Sequence, residues 1–307
     1  MKKQFCLSAI VMIFLLSACV NAEMATTNTL QVMATTSILA DVVRQVGGDN
    51  VQVRSLVPEG ANEHEYQPAA RDIAAVADSD LVFEVGLGLE EFMSTVIENA
   101  GTNVTIITVS DGITPRQFQT EAEADHQDEY FAGDPHVWMD PANVITWVNN
   151  ITRALSDMDP QHRSDYEANS AAYITNLEEL DAWITTEINS IPADQRRIVT
   201  DHMLFGYFAE KYGLEVIGAV IPSYSTSAQS SARDLAALED AITQYGVKAI
   251  LVGDTVNPAL SKRVANDTGV QLGQFYTGSL SAIDGPASTY IDYMRFNVNA
   301  IVSALKR

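Results

Sequence analysis

Residues 160–191, PQHRSDYEANSAAYITNLEELDAWITTEINSI, place Tyr166, Tyr173, Leu177, Leu180, Ile184 and Ile188 at successive spacings of 7, 4, 3, 4 and 4. Those spacings put the six apolar side chains on one stripe of a single long helix. Asp159-Pro160 supplies a capping carboxylate and then a proline at the first helical position, where a missing N–H costs nothing. At about 1.5 Å per residue such a helix crosses the width of a lobe. Strands alternate with helices on both sides of it, so residues 159–191 read as a connector between an N-terminal α/β lobe (30–158) and a C-terminal one (192–307).

Outward from the connector the pattern is regular. On the N-terminal side, strands at 30–36, 51–57, 81–86 and 103–109 are separated by helices at 37–48, near 71–77 and near 89–100, and Asp140 caps a further helix beginning at Pro141. On the C-terminal side, strands at 196–200, 214–220, 247–253 and 269–276 alternate with helices at 203–212, 232–245 and near 258–267, and a terminal helix starts at about Pro286. Strand-helix alternation predicts mainly parallel sheets flanked by helices, with functional loops at the carboxyl ends of the strands. Residues 119–134 interrupt the pattern with an acidic loop carrying His126 and no base, expected to stay outside the core.

Composition bounds the chemistry. The chain has 307 residues, 47% of them hydrophobic, enough for two cores, and a net charge of −22 disfavours a nucleic-acid partner, which needs a basic face. The start, MKKQFCLSAIVMIFLLSAC, pairs two lysines with an apolar run too short to span a bilayer. It reads as a signal segment (1–18) ending in Leu16-Ser17-Ala18-Cys19, which resembles the bacterial lipoprotein signal with Cys19 as the acylated residue, followed by a tether (19–29). The competing reading is ordinary cleavage near Ala18 or Ala22. Cys6 and Cys19 are the only cysteines, so no disulfide, Cys-metal site or thiol nucleophile is expected in the mature chain.

Of the five histidines, His64, His136 and His202 each follow a strand, at the edge where open α/β sheets bind ligands. Imidazole suits zinc and other divalent transition metals, and three converging imidazoles make most of a zinc site. His162 falls on the first turn of the connector and His126 in the acidic loop, and both are set aside. No H-E-x-x-H helix and no G-x-S-x-G elbow is present, and the lone Asp201-His202 pair is too common to identify a nucleophilic mechanism. A zinc hydrolase built on the three histidines is chemically open but lacks an evident general base. A surface adhesin is the other alternative class.

VPEGANEHEYQPAARDI, DPHVWMDP, VTDHMLFGYFAEKYGL and SLSAIDGPASTYIDYMRFNV resemble, in the same order, the recurring motifs of the zinc- and manganese-binding solute-binding proteins of bacterial ABC transporters, often called cluster 9. The resemblance runs from about Leu30 to Lys306. It implies two α/β lobes joined by one long rigid helix and a non-catalytic extracytoplasmic receptor, which the lipoprotein-type signal would anchor to the membrane and which is expected to be a monomer. It also implies one metal in the cleft as cargo for a membrane permease with a cytoplasmic ATPase. The cargo is expected to be Zn²⁺, with Mn²⁺ or Fe²⁺ as alternatives. By the same resemblance His64, His136 and His202 match three family ligands. The fourth, an aspartate directly before a Ser-Leu pair, is here Gly278. Water or Asp254 is expected to complete the shell, with Glu63, Glu65, a loop acid, or Asp284 through a shift of register as the other options.

Overall fold

The computed structural model describes residues 29–101, 104–117 and 133–306. The signal segment, the tether with Cys19 up to residue 28, and residues 119–132 of the acidic loop with His126 lie outside the described residues.

Among the described residues, eight strands form two four-stranded, wholly parallel sheets. The first contains β1 (Leu30–Ala34), β2 (Val51–Ser55), β3 (Leu81–Glu84) and β4 (Thr105–Thr108), in the order β2-β1-β3-β4. The second repeats that order with β5 (Arg197–Thr200), β6 (Glu215–Ala219), β7 (Ala249–Gly253) and β8 (Gln271–Phe275), as β6-β5-β7-β8. β7, AILVG, is buried along its whole length, as a strand covered on both faces by helices must be. Around the first sheet lie α1 (Ser37–Gly47), α2 (Ala70–Ala77), α3 (Met93–Ala100) and α4 (Pro141–Met158). Around the second lie α6 (Gly206–Tyr212), α7 (Ala232–Tyr245), α8 (Ala259–Thr268) and α9 (Tyr290–Leu305).

The connector is a 3-10 turn, Pro160–His162, leading into α5, Arg163–Asn189. Its 27 residues extend about 40 Å at about 1.5 Å each. All six positions of the apolar stripe are buried, with Ser170 in line between Tyr166 and Tyr173. His162 Nδ1 lies 2.6 Å from Asp159 Oδ2, which ties that histidine to the turn before the connector. One face of α5 meets α1 and α4, and it also meets α6 and α9 from the other lobe. The largest apolar core is therefore continuous across both lobes, from Val32 and Ile38 through Leu177 and Ile184 to Ile198, Phe275 and Ile301. The lobes are joined by this shared core and not by the connector alone.

Three helix starts differ from the sequence expectation. The helix expected near residue 89 begins at Met93, because Leu89 N–H donates to Gly86 O at 3.1 Å and Met93 N–H to Glu90 O at 3.0 Å in turns that precede it. The helix expected from Met203 begins at Gly206, because Met203 N–H donates to Ser223 O at 3.0 Å and Leu204 N–H to His202 O at 2.9 Å, which fixes a turn there. The terminal helix begins at Tyr290, not near Pro286, because Thr289 Oγ1 accepts the Asp292 N–H and sets the N-cap.

The buried stripe of α5 predicts the stability of the whole molecule. Leu177→Ala is expected to cost about 2–5 kcal/mol, and the exposed Glu178→Ala less than about 0.5 kcal/mol. Denaturant unfolding of both variants measures the difference, and equal midpoints would contradict the shared core.

Candidate metal centre

His64, His136 and His202 come from three loops on two lobes and converge in one buried cluster, each offering a ring nitrogen within 4.8 Å of the others. His64 follows β2, in a loop docked on the opposite lobe: Gly60 N–H donates to Ser279 Oγ at 2.7 Å and Asn62 Nδ2 to Thr226 Oγ1 at 2.8 Å. Asn62 Oδ1 accepts the His64 N–H at 3.0 Å and fixes the backbone beneath the ring. His136 sits directly before the 3-10 turn Val137–Met139, which leads into α4. Asp140 Oδ1 caps α4 through the Ala142 N–H at 2.7 Å and also receives Lys211 Nζ from α6 at 2.6 Å. His202 follows β5, the strand beside which the order of the second sheet reverses.

Two aspartates orient two of the rings. Asp134 Oδ1 accepts both the His136 N–H at 3.0 Å and Nδ1 at 2.9 Å. Asp201 Oδ1 does the same for His202, at 2.7 Å and 2.8 Å, while its Oδ2 accepts the Gly253 N–H at 2.6 Å. A carboxylate only accepts, so each Nδ1 carries the proton and each Nε2 presents its lone pair to the cluster. His202 Nε2 is buried without a hydrogen-bond partner, the state of a nitrogen kept for a cation. His64 Nε2 and His136 Nε2 stand 3.3 Å apart. Two nitrogens bound at about 2.0–2.1 Å to one tetrahedral ion stand about 3.3 Å apart, so the spacing already matches an edge of that polyhedron.

Asp134 is itself held both from its own lobe and from across the cleft. Arg116 Nη1 lies 3.4 Å from its Oδ2, and Arg116 Nε donates to Glu210 on α6 at 2.7 Å. Tyr207, also on α6, donates its hydroxyl to Asp134 O at 2.8 Å and accepts the Arg116 N–H at 3.0 Å. Gly206 makes room for this arrangement, since a Cβ there would lie 1.9 Å from Arg116 Nη1 and 2.5 Å from Asp134 Oδ2. Asp134, which the sequence pattern put at the end of a solvated acidic loop, is fully buried.

Burial governs the electrostatics. It depresses the pKa of His64 and His136 well below the ordinary imidazole value, and the neighbouring imidazoles add to the effect. Burial also raises Asp134 to about 7, against the pull of the His136 N–H and of Arg116. Glu63 is likewise raised to about 7 by burial. Its Oε1 lies 3.8 Å from His64 Nε2, and its carboxylate fills the space beside Gly278. Asp254, the carboxylate expected near the site, is exposed and accepts the Thr277 N–H at 3.3 Å, outside the three-imidazole cluster. The pairs Asp134-x-His136 and Asp201-His202 were visible in the sequence, but their orienting role was not read there.

A family model described as "ZnuA: Zinc-uptake complex component A periplasmic" matches residues 32–304. The chain belongs to this family. Membership in this family makes the chain a solute-binding transport protein and not an enzyme. The chain is 33% identical to the manganese-binding lipoprotein MntA of Halalkalibacterium halodurans, over 99% of this chain and 100% of that protein. It is 30% identical to the manganese ABC transporter substrate-binding lipoprotein PsaA of Streptococcus pneumoniae, over 98% and 96% respectively. Among solved structures it resembles the periplasmic zinc-binding protein TroA of Treponema pallidum, with a TM-score of 0.82, 26% identity, and coverage of 91% of this chain and 100% of that one. It also resembles the Mn-bound periplasmic metal-binding protein of candidatus liberibacter asiaticus, with a TM-score of 0.77, 28% identity, and coverage of 90% and 99%.

Two outcomes follow from this geometry. Asp201→Asn offers one acceptor oxygen where the His202 and Gly253 donors use two, so either the Gly253 N–H or the His202 ring loses its acceptor, and metal affinity is expected to fall about 10–100-fold with the thermal transition of the metal-free protein retained; calorimetric titration reads this. Protons compete with metal for imidazole, so depressed pKa values preserve affinity to lower pH. Three imidazoles titrating near 6.5 would each be about 90% protonated at pH 5.5 and together lose about a thousandfold in affinity. With the His64 and His136 pKa values held below that figure by burial, the loss between pH 7.5 and 5.5 is expected to fall short of that thousandfold, measured by chelator competition. A full thousandfold loss would contradict the burial of these two rings.

Proposed function

We propose that this chain captures a divalent first-row transition-metal ion between His64, His136 and His202 and delivers it to the membrane permease of an ABC importer. The observation that carries the reading is the convergence of three buried imidazoles from both lobes in a chain of the metal-uptake family. The protein is extracytoplasmic and lipid-anchored, as its family and its lipoprotein-type signal indicate. Cys19 is our proposed acylation site, and a cytoplasmic ATPase the proposed energy source for the permease.

Two readings of the cargo rest on two separate observations. A shell of three neutral imidazoles favours zinc over manganese, which prefers a larger share of oxygen ligands. The MntA and PsaA relatives described above, at 33% and 30% identity, are named for manganese, which supports manganese as the ion delivered. Tighter zinc binding alone does not decide between these, because zinc outranks manganese at most nitrogen sites whatever the biological cargo.

Metal-stripped protein titrated with Zn²⁺ and Mn²⁺ tests the site. Replacing all three histidines by alanine is expected to abolish binding of both ions, and unchanged affinity would overturn the proposal. The cargo is read in cells lacking the protein. A fall in cell manganese, restored by the intact chain, establishes the manganese reading, and a fall in cell zinc establishes the zinc reading.

A further inference from the structure

Residues 223–227 (SYSTS), between β6 and α7, supply none of the three imidazoles yet meet the surroundings of each. Ser223 O accepts the N–H of Met203, the residue after His202, at 3.0 Å. The Tyr224 ring stands edge-on to the His136 ring, with centroids 6.2 Å apart. Thr226 Oγ1 accepts Asn62 Nδ2 at 2.8 Å, and Asn62 Oδ1 accepts the His64 N–H at 3.0 Å. The segment also holds its own shape, since the Ser225 N–H donates to Ser223 Oγ at 3.1 Å and the hydroxyls of Ser225 and Ser227 stand 2.6 Å apart. Ser223, Tyr224, Ser225 and Thr226 are all buried, so this stretch is a wall of the metal pocket and not a surface loop.

The contact at Thr226 crosses between lobes. Thr226 belongs to the C-terminal lobe, and Asn62 to the N-terminal loop that carries His64. A carboxamide is planar and stiff, so a group that holds its nitrogen also fixes whatever its oxygen holds. Through Asn62 the place of the Thr226 hydroxyl is passed to the His64 backbone. Thr226 Oγ1 also lies 3.5 Å from Glu65 Oε1, so the hydroxyl meets side chains from both sides of His64. The three ligands differ in how they are held. His136 and His202 are tied through Nδ1 to Asp134 and Asp201, at the ends of regular elements. His64 rides on residues 56–69, between β2 and α2, and that loop is fastened to the other lobe by the Gly60 bond to Ser279 and the Asn62 bond to Thr226.

We propose that Thr226 is a positioning residue that sets how fast the metal leaves, by clasping the His64 loop through Asn62. For the ion to escape, one imidazole has to draw back, and His64 is the one whose support is a loop. The loop cannot draw back while Asn62 is held by the opposite lobe, so the bond between Thr226 and Asn62 opens before the metal departs. The hydroxyl touches no metal and changes no ligand; it acts on the rate of exchange through the backbone of one ligand. This rests on the metal-receptor reading given above and adds the step that controls release.

The test compares the full chain with Thr226→Val, Thr226→Ser, Asn62→Ala, the double variant Thr226→Val/Asn62→Ala, and His136→Ala. Zn²⁺-loaded protein is mixed rapidly with a chromogenic chelator, and the release rate is extrapolated to zero chelator. The visible spectrum of the Co²⁺ form reports the ligand set, and thermal melts of the metal-free protein report folding. Thr226→Val keeps the shape of the side chain and removes the hydroxyl. It is expected to speed Zn²⁺ release about tenfold, as loss of one partner of a part-buried bond implies, with the cobalt spectrum unchanged. Thr226→Ser keeps the hydroxyl and is expected to release within about twofold of the original rate. Asn62→Ala breaks the same bond from the other side and is expected to release at least as fast as Thr226→Val, which supplies the rate if Thr226→Val does not fold. Because the two residues act as one unit, the double variant is expected to release no faster than Asn62→Ala. Release from folded Thr226→Val at the original rate, an altered cobalt spectrum in that variant, or rates that multiply in the double variant would each overturn the proposal. His136→Ala separates the two levels. If it binds Zn²⁺ as tightly as the intact chain, the three-histidine reading itself fails; if it loses binding while Thr226→Val releases at the original rate, only the role of Thr226 is wrong.

Discussion

Three imidazole nitrogens facing one another in a buried pocket form an arrangement that a protein has to hold open against both water and protons. Left alone, such rings would turn to donate to whatever acceptor lay nearest, or would be charged and repel. Asp134 and Asp201 prevent the first outcome by accepting Nδ1 of His136 and His202, which leaves Nε2 as the only nitrogen free to bind. Burial prevents the second by disfavouring the charged form of His64 and His136. Other parts of the structure near the cleft act on this cluster by fixing one or other of those supports.

The two supports are anchored differently. Asp201 is held within the C-terminal lobe, where the end of β7 offers it the Gly253 N–H. Asp134 belongs to the N-terminal lobe and is held there by Arg116, itself pinned across the cleft to Glu210, while Tyr207 of the other lobe donates to its carbonyl. The aim of His136 therefore depends on the lobes being in register. That register is set by a core running without a break from the first sheet through α5 to the second, so the lobes behave as parts of one packed body in this structure. Interlobe bonds such as Lys211 to Asp140 add position more than energy, being partly exposed ion pairs on an already packed interface.

Much of the fold was legible because its signals are local. Alternation of β-branched runs with helical periodicity marks the strands of both sheets, and Asp140-Pro141 caps the helix it was expected to cap. The connector's stripe from Tyr166 to Ile188 is buried at every expected position. The misplaced starts of α6 and α9 were not legible, since a turn held by Ser223 and a cap chosen at Thr289 over Pro286 are settled by neighbours in space. Asp134 was read as part of a solvated acidic run for a similar reason: its sequence neighbours are acidic, but its spatial neighbours are Arg116, Tyr207 and His136.

The amino-acid sequence by itself determined the two parallel α/β lobes, the long helix between them and the three histidines at strand ends, because periodicity, capping and motif spacing are written along a short run of chain. Only the tertiary structure decided that those histidines meet with two Nε2 atoms 3.3 Å apart, and that the lobes share one core. It also decided that the Glu63 carboxylate lies where a side chain at position 278 would begin. Such contacts join residues far apart in the chain through close approach in three dimensions, and a close approach of that kind leaves no local trace in the residues that make it.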